Sequence, residues 1–148
     1  MGEGMKVRTI LATKGPHVVT IDPGQPLRDA ARLLAEHNIG ALVVVDEQGR
    51  LVGIISERDI IQAVARLQDP LSQPVSQVMT REVVIGLPND DLIAVAHTMT
   101  ERQFRHMPIM EQGELVGIIS MKDIVKSQRD QYKGEIDTLQ TQIIADED

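Results

Sequence analysis

Two copies of a Ser-x-x-Asp spacing contain the residues with the clearest potential for chemistry: Ser56 with Asp59, and Ser120 with Asp123. Each Ser follows an apolar, β-branched run and precedes a segment of helical pattern, which predicts a strand that leads directly into a helix. The N-terminus of such a helix presents N–H groups and a partial positive charge to a phosphate. A short Asp side chain can accept hydrogen bonds from the two neighbouring hydroxyls of a ribose. The spacing therefore indicates nucleotide binding.

The same spacing also has a purely structural interpretation. A Ser at the N-cap accepts a hydrogen bond from an N–H group of the first turn, and an acid three residues later stabilises the positive helix end. Glu or Gln is the usual reciprocal partner in such a capping box, whereas this sequence uses Asp both times. The two roles are compatible, and the sequence leaves both open.

These pairs belong to an internal repeat that organises the chain. Residues 51–60, LVGIISERDI, return 64 positions later as residues 115–124, LVGIISMKDI, with eight of ten residues identical. Such a period indicates two copies of one supersecondary unit, and the hydrophobic pattern predicts the order β-α-β-β-α in each. One copy is too small to bury its own sheet. We therefore predict an α+β fold in which the two repeats pack through their sheets about a pseudo-twofold axis, with related clefts at their interface.

Composition shifts and turn residues divide the chain into five segments: a leader at 1–6, a first repeat at 7–68, a linker at 69–74, a second repeat at 75–126, and a C-terminal helix with an acidic tail at 127–148. Within the repeats, the patterns predict short helices at 7–11 and 75–79, strands at 18–21, 41–45, 50–55 and 83–86, and longer helices that begin near residues 27, 56, 90 and 120.

The C-terminal segment has its own apolar pattern. Tyr132, Ile136, Leu139 and Ile143 follow a 4-3-4 spacing, which is typical of a helix that packs along one seam against another helix. Gly134 weakens this helix by about 1 kcal/mol. We expect it to pair with the same helix of a second chain, and the alternative is a helix that folds back on its own domain.

Composition limits the partners and the location of the protein. The net charge of -7 repels phosphate backbones, so nucleic acid is not expected as a main partner. The absence of Cys excludes disulfides and thiolate metal sites. Apolar runs are too short to span a membrane, and the N-terminus lacks a signal-peptide pattern. We expect a cytoplasmic protein without membrane contact.

No combination of residues indicates catalysis or a resident metal. The sequence lacks a G-x-S-x-G elbow and a G-x-x-x-x-G-K phosphate loop. The histidines are not spaced as metal ligands; they are His17, His37, His97 and His106. We therefore expect a protein that is not an enzyme, with no metal beyond the magnesium that accompanies a phosphate ligand.

Several motifs together resemble a known family. They are the Gly-h-h-Ser-x-x-Asp element in both copies, the Val-Val-Thr-Ile-x-Pro opening at 18–23, and the Arg-His-Met-Pro-Ile run at 105–109. Over about residues 7–126 the sequence resembles a pair of cystathionine-β-synthase (CBS) domains that stand alone. The resemblance implies a regulatory module that binds AMP, ADP, ATP, NAD or S-adenosylmethionine between its repeats. It also implies a homodimer, commonly a flat disc, and a regulated partner protein that the sequence does not identify.

The resemblance also implies roles for individual residues. Asp59 and Asp123 would hold ribose hydroxyls, and Ser56 and Ser120 the ribose or phosphate edge. Two strand openings would face adenine with backbone groups: Val19, Thr20 and Ile21 in the first copy, and Val84, Ile85 and Gly86 in the second. The candidates for phosphate contacts are Arg58, Lys122, Arg105 and His106.

The two copies differ at positions that bear on binding. Thr20 becomes Ile85, and Gly40-Ala41 in the first copy corresponds to Arg105-His106 in the second. We therefore expect the two clefts to differ in affinity, and one of them need not be occupied. Ligand phosphate would favour protonated His106, and the alternative is a partly buried His that bonds to the backbone. The competing hypothesis for the whole chain is a homo-oligomeric scaffold without ligand.

Overall fold

The two copies of the repeat form two small sheets, each followed by a helix. The structure is a computed structural model that describes residues 4–132, and the predicted pairing of residues 133–148 lies outside this range. The first copy contains α1 (Val7–Lys14), β1 (Thr20–Ile21), α2 (Leu27–His37), β2 (Ala41–Val45), β3 (Leu51–Ser56) and α3 (Glu57–Arg66). After a 3-10 turn at Pro70–Ser72, the second copy contains α4 (Val75–Val78), α5 (Leu92–Arg102), β4 (His106–Glu111), β5 (Glu114–Ser120) and α6 (Met121–Tyr132).

Both sheets are built on the same hairpin. Strand β2 pairs antiparallel with β3, and β4 pairs antiparallel with β5, each with one register shift near the turn. Strand β1 adds to the first sheet in parallel with β2. The matching irregularities confirm that the hairpins are copies of one unit, and the mixture of helices and strands confirms the α+β prediction.

The strand expected at residues 83–86 is reduced to a single parallel bridge between Gly86 and Ile109. Pro108 explains the difference. At the corresponding place in the first sheet, the Val43 N–H donates to the Val19 carbonyl at 3.4 Å. Proline has no N–H group and cannot make this bond to the partner strand.

The hydrophobic interior is divided into two clusters, and each contains the leading helix of the other copy. Val7 and Ile10 of α1 pack in the second cluster, which includes Ile119 of β5. Val75 of α4 and Met79, which follows it, pack in the first cluster with the strand residues of the first sheet. Because each core is completed by a helix from elsewhere in the chain, the two repeats depend on each other for stability.

Two glycines let these crossed helices approach the strands. The side chain of Met79 packs over Gly53 of β3, and the side chain of Leu11 packs over Gly117 of β5. Leu11 and Met79 are therefore equivalent. The two helices differ in length beyond this point, since α1 continues three residues to Lys14 whereas α4 ends at Val78.

We predict that Gly53→Ala destabilises the protein more than Gly117→Ala. A Cβ at position 53 would lie 3.0 Å from the Thr80 backbone carbonyl as well as against Met79, whereas at 117 it meets only the Leu11 side chain. Overpacking of this kind costs about 1–3 kcal/mol. Urea denaturation of both variants measures the difference, and equal midpoints would contradict it.

Candidate functional site

Both Ser-x-x-Asp pairs form reciprocal helix caps. The Asp59 N–H donates to Ser56 Oγ at 3.3 Å, and the Ser56 N–H donates to Asp59 Oδ2 at 2.9 Å. The corresponding distances at Ser120 and Asp123 are 3.1 and 2.9 Å. The structural interpretation of the spacing is therefore confirmed in both copies. Each cap still leaves its Asp half-buried.

A cavity of about 970 Å³ lies between the repeats beside the first of these caps. Three of its predicted lining residues come from the start of α3 and three from the second repeat: Ser56, Arg58, Asp59, Val84, Arg105 and His106. The cavity thus brings Asp59 of the first copy together with Val84, Arg105 and His106 of the second. The remaining seven predicted residues do not line it; they are Val19, Thr20, Ile21, Ile85, Ser120, Lys122 and Asp123.

Ten lining residues were not among the predicted site residues, and they include Arg102, Thr80 and two acids, Glu57 and Glu82. Arg102 ends α5 and adds a third guanidinium to those of Arg58 and Arg105. Thr80 follows the crossed helix α4, and its hydroxyl lies 3.4 Å from Asp59 Oδ1. Glu57 stands at the start of α3. No local pattern marks Thr80 or Arg102, because packing between the two repeats brings them to the cavity.

Phe104 also lines the cavity, and it packs against the second core cluster. An aromatic ring at this place offers a face for stacking while its body contributes to the core. Phe104 can therefore serve the core and offer a ring face to a ligand at the same time.

His106 lies over Gly40, where the absence of a side chain makes room for it. A Cβ on Gly40 would be 2.8 Å from His106 Nε2 and 2.9 Å from Glu57 Oε1. Burial lowers the pKa of His106 below its ordinary 6.5, and the Glu57 carboxylate only partly opposes this effect. The neighbouring charges of Lys14 and Arg105 lower the pKa further, while Asp123 raises it. His106 is therefore held in its neutral form at neutral pH.

The second acid has a different environment. Lys14 Nζ donates to Asp123 Oδ2 and to the Ile118 carbonyl, both at 2.8 Å. Burial alone would raise the pKa of Asp123, but the hydrogen bonds from Lys14 and Ser120 hold it below its ordinary value. Asp123 is thus a carboxylate that is already paired with a cation.

The surroundings of Asp123 are the repeat counterpart of the cavity at Asp59, and we call them the second cleft. The other predicted residues differ in how far they are exposed. Thr20 and Lys122 are exposed, and Ile85 is 45% exposed, so their side chains are accessible to solvent. Ile21 is buried in the first core, which leaves only its backbone for any ligand contact. Val19 is half-buried, and its carbonyl is engaged by Val43.

Residues 4–132 contain neither a metal-binding cluster nor a membrane-spanning helix. No group of three or more acidic, His or Cys side chains lies close enough to hold a metal ion. None of the helices in this range has the length and apolar character needed to cross a membrane.

Comparison with known proteins gives consistent matches. The family model of the CBS domain matches residues 7–66 and 75–130. The CBS domain-containing protein YhcV of Bacillus subtilis is 40% identical over 117 residues, which cover 78% of this chain and 82% of that protein.

Solved structures share the fold. The CBS-domain containing protein ATU1752 from Agrobacterium tumefaciens has a TM-score of 0.82 and 41% identity, over 86% of this chain and 96% of that one. The CBS domain pair of protein MJ0100, in complex with 5′-methylthioadenosine and S-adenosyl-L-methionine, has a TM-score of 0.78 and 28% identity, over 87% and 99%.

We predict that Lys14→Met lowers the thermal midpoint at neutral pH but not in acid. The fold lowers the pKa of Asp123, so the carboxylate contributes stability above its unfolded pKa and loses this contribution as pH falls through the folded value. The pair is partly exposed, so the loss should be up to about 1 kcal/mol. Melting curves from pH 7 to about pH 3 test this, because Asp titrates near pH 4.

The matched control for this experiment is Lys122→Met. It removes the same charge from an exposed residue directly before Asp123, where no bond to that carboxylate is formed. A deficit of Lys14→Met that stays constant down to acid pH would show that the Lys14–Asp123 pair contributes nothing.

Proposed function

This chain belongs to the CBS domain family as a tandem pair, and from that membership we propose that it senses an adenosine-containing ligand and passes the signal to a partner protein. The observation that carries this proposal is the cavity where Asp59 of one repeat faces Val84, Arg105 and His106 of the other. Its volume of about 970 Å³ is of the size that small-molecule sites have. The complex of the MJ0100 domain pair with two adenosine compounds supports the ligand class.

The cavity offers a partner for each part of an adenosine. Asp59 stands at the N-terminus of α3 and can accept hydrogen bonds from ribose hydroxyls, displacing only the long contact to the Thr80 hydroxyl. In the first sheet the Val19 carbonyl accepts from the Val43 N–H. The counterpart of Val43 is Pro108, which has no N–H, so the Val84 carbonyl can accept from the adenine amino group instead. Phe104 provides an apolar surface beside this position.

The basic side chains around the cavity favour ligands that also carry phosphate. Arg58, Arg102 and Arg105 line it, and Arg side chains bind phosphate through paired donors. His106 is neutral because it is buried, and an adjacent phosphate would raise its pKa and draw a proton to it. We therefore favour AMP, ADP, ATP or NAD, with S-adenosylmethionine as the ligand without phosphate.

We predict that an adenosine compound raises the thermal midpoint of the wild type and that Asp59→Ala loses this response. A ligand at 100 times its dissociation constant adds about 2.7 kcal/mol of stability. A thermal-shift panel of AMP, ADP, ATP, NAD, S-adenosylmethionine and adenosine measures it.

The control must separate ligand binding from helix capping, since Asp59 does both. Asp91 caps α5 by accepting from the Ala94 N–H, and it does not line the cavity. Asp91→Ala should therefore lower stability but keep the ligand response. A wild type that no adenosine compound shifts at millimolar concentration would overturn the proposed function. Equal responses in Asp59→Ala and wild type would leave Asp59 as a cap alone and favour a scaffold.

We further propose that the module acts as a homodimer through α3 and α6. Ile61 and Val64 are 67% and 56% exposed on α3, and Val125, the repeat counterpart of Ile61, is 57% exposed on α6. Ile61 and Val125 thus place an exposed apolar side chain at the same position of the last helix in each repeat. A second copy supplies the complementary surface, as a symmetric dimer requires.

Ile61 also lines the cavity, so a bound ligand would lie next to this dimer surface. This adjacency gives a route by which binding could change the angle or stiffness of the dimer. The partner protein would then recognise the altered dimer.

We predict that Ile61→Glu converts a dimer to a monomer, because a charge in an apolar interface is costly. The control is Ile93→Glu on α5, where the side chain is 58% exposed but its counterpart in the first repeat is Arg28, so no matched apolar pair exists. Sedimentation velocity measures the assembly state. A monomeric wild type, or a dimeric Ile61→Glu variant, would contradict the proposed interface.

A further inference from the structure

The same two acceptors are satisfied by different donors in the two clefts. In the first, the Thr80 N–H donates to the Ile54 carbonyl at 2.8 Å, and the Thr80 hydroxyl lies 3.4 Å from Asp59. In the second, the repeat counterparts of these acceptors are Ile118 and Asp123. The ammonium group of Lys14 donates at 2.8 Å to the Ile118 carbonyl and to Oδ2 of Asp123, the oxygen that also accepts from the Ser120 N–H, whereas Thr80 lies against Oδ1 of Asp59. One side chain thus replaces a backbone donor and a hydroxyl.

The cause lies in the different lengths of the crossed helices. Met79 packs over Gly53, and the chain then leaves the helix so that Thr80 can bridge to β3. Leu11 packs over Gly117 in the same way, but α1 continues for three more residues. The extra residues place Lys14 where Thr80 stands in the first cleft.

The change of donor from Thr80 to Lys14 alters what a ribose would have to displace. At Asp59 it competes with a neutral hydroxyl at a long distance, which is a weak bond. At Asp123 the carboxylate is already paired through Oδ2 with an ammonium group at 2.8 Å that also bonds to a backbone carbonyl, so a ribose hydroxyl approaches a carboxylate whose charge is already neutralised. Charge-assisted hydrogen bonds are about twice as strong as neutral ones. Asp123 is therefore the much poorer ribose acceptor of the two.

We propose that Lys14 acts as an internal occupant of the Asp123 cleft and thereby reserves ligand binding for the Asp59 cleft. Each chain then binds one adenosine ligand. This inference rests on the proposed function and adds to it the residue that makes the two clefts unequal. It also predicts that removal of the Lys14 side chain creates a second site.

Isothermal titration calorimetry tests the proposal with AMP and with 5′-methylthioadenosine, which has no phosphate to interact with Lys14 directly. The wild type should bind one ligand per chain. Lys14→Ala should bind two, and Lys14→Ala with Asp123→Ala should return to one. Lys14→Ala with Asp59→Ala should bind one ligand, now in the second cleft. Lys126→Ala removes an exposed ammonium group of α6 that does not line the cavity; it is the control and should bind as the wild type does.

Each contrary outcome has a distinct meaning. Two sites in the wild type, or a single site in Lys14→Ala, would overturn the role of Lys14 while leaving the proposed function intact. Weaker AMP binding in Lys14→Ala at one site would show that Lys14 is a ligand contact and would overturn the proposal as well. No binding in wild type or Lys14→Ala would remove both proposals. Lys14→Met is the second variant, and it keeps the aliphatic stem if the Ala variant folds poorly.

Discussion

The crossing of α1 and α4 is the constraint on which the rest of the structure depends. Each helix packs in the hydrophobic core that the other repeat builds, so neither sheet is covered without residues from elsewhere in the chain. The crossing fixes the position of the two repeats relative to each other. It also brings the C-terminal end of α1 and the residues after α4 to the two Ser-x-x-Asp caps, so the packing of the cores and the formation of the clefts have one cause.

Two local changes then break the symmetry that this crossing creates. Pro108 removes one backbone donor and leaves the second copy without a full first strand. In the second cleft, three extra residues in α1 bring in the ammonium group of Lys14, which takes the place of the bridge that Thr80 makes in the first. Both changes alter hydrogen-bonding partners while the apolar contacts of the crossed helices stay equivalent. A duplicated fold can therefore keep one architecture and still present two chemically different clefts.

The sequence was sufficient for those features that depend on neighbouring residues. The hairpin strands follow from alternating and β-branched runs, and the caps follow from the Ser-x-x-Asp spacing, which the structure confirms at Ser56 and Ser120. The loss of the strand at residues 83–86 could not be predicted in the same way, because its cause is a proline in the partner strand. The positions of Thr80, Arg102 and Lys14 depend on tertiary packing, which local patterns do not encode.

At Asp59 a helix cap and a ligand site can use the same carboxylate without conflict, since they use different oxygens. Asp59 Oδ2 accepts from the backbone and hydroxyl of Ser56 and so fixes the side chain in one orientation. Oδ1 then points to the Thr80 hydroxyl at the edge of the cavity, where a stronger donor can replace it. Capping thus preorganises the acceptor, and less conformational entropy is lost when a ligand binds. At Asp123 the cap and Lys14 share one oxygen, because Oδ2 accepts from both the Ser120 N–H and the Lys14 ammonium group. Both carboxylates are therefore fixed by a cap, and the charge of the second donor is what distinguishes them.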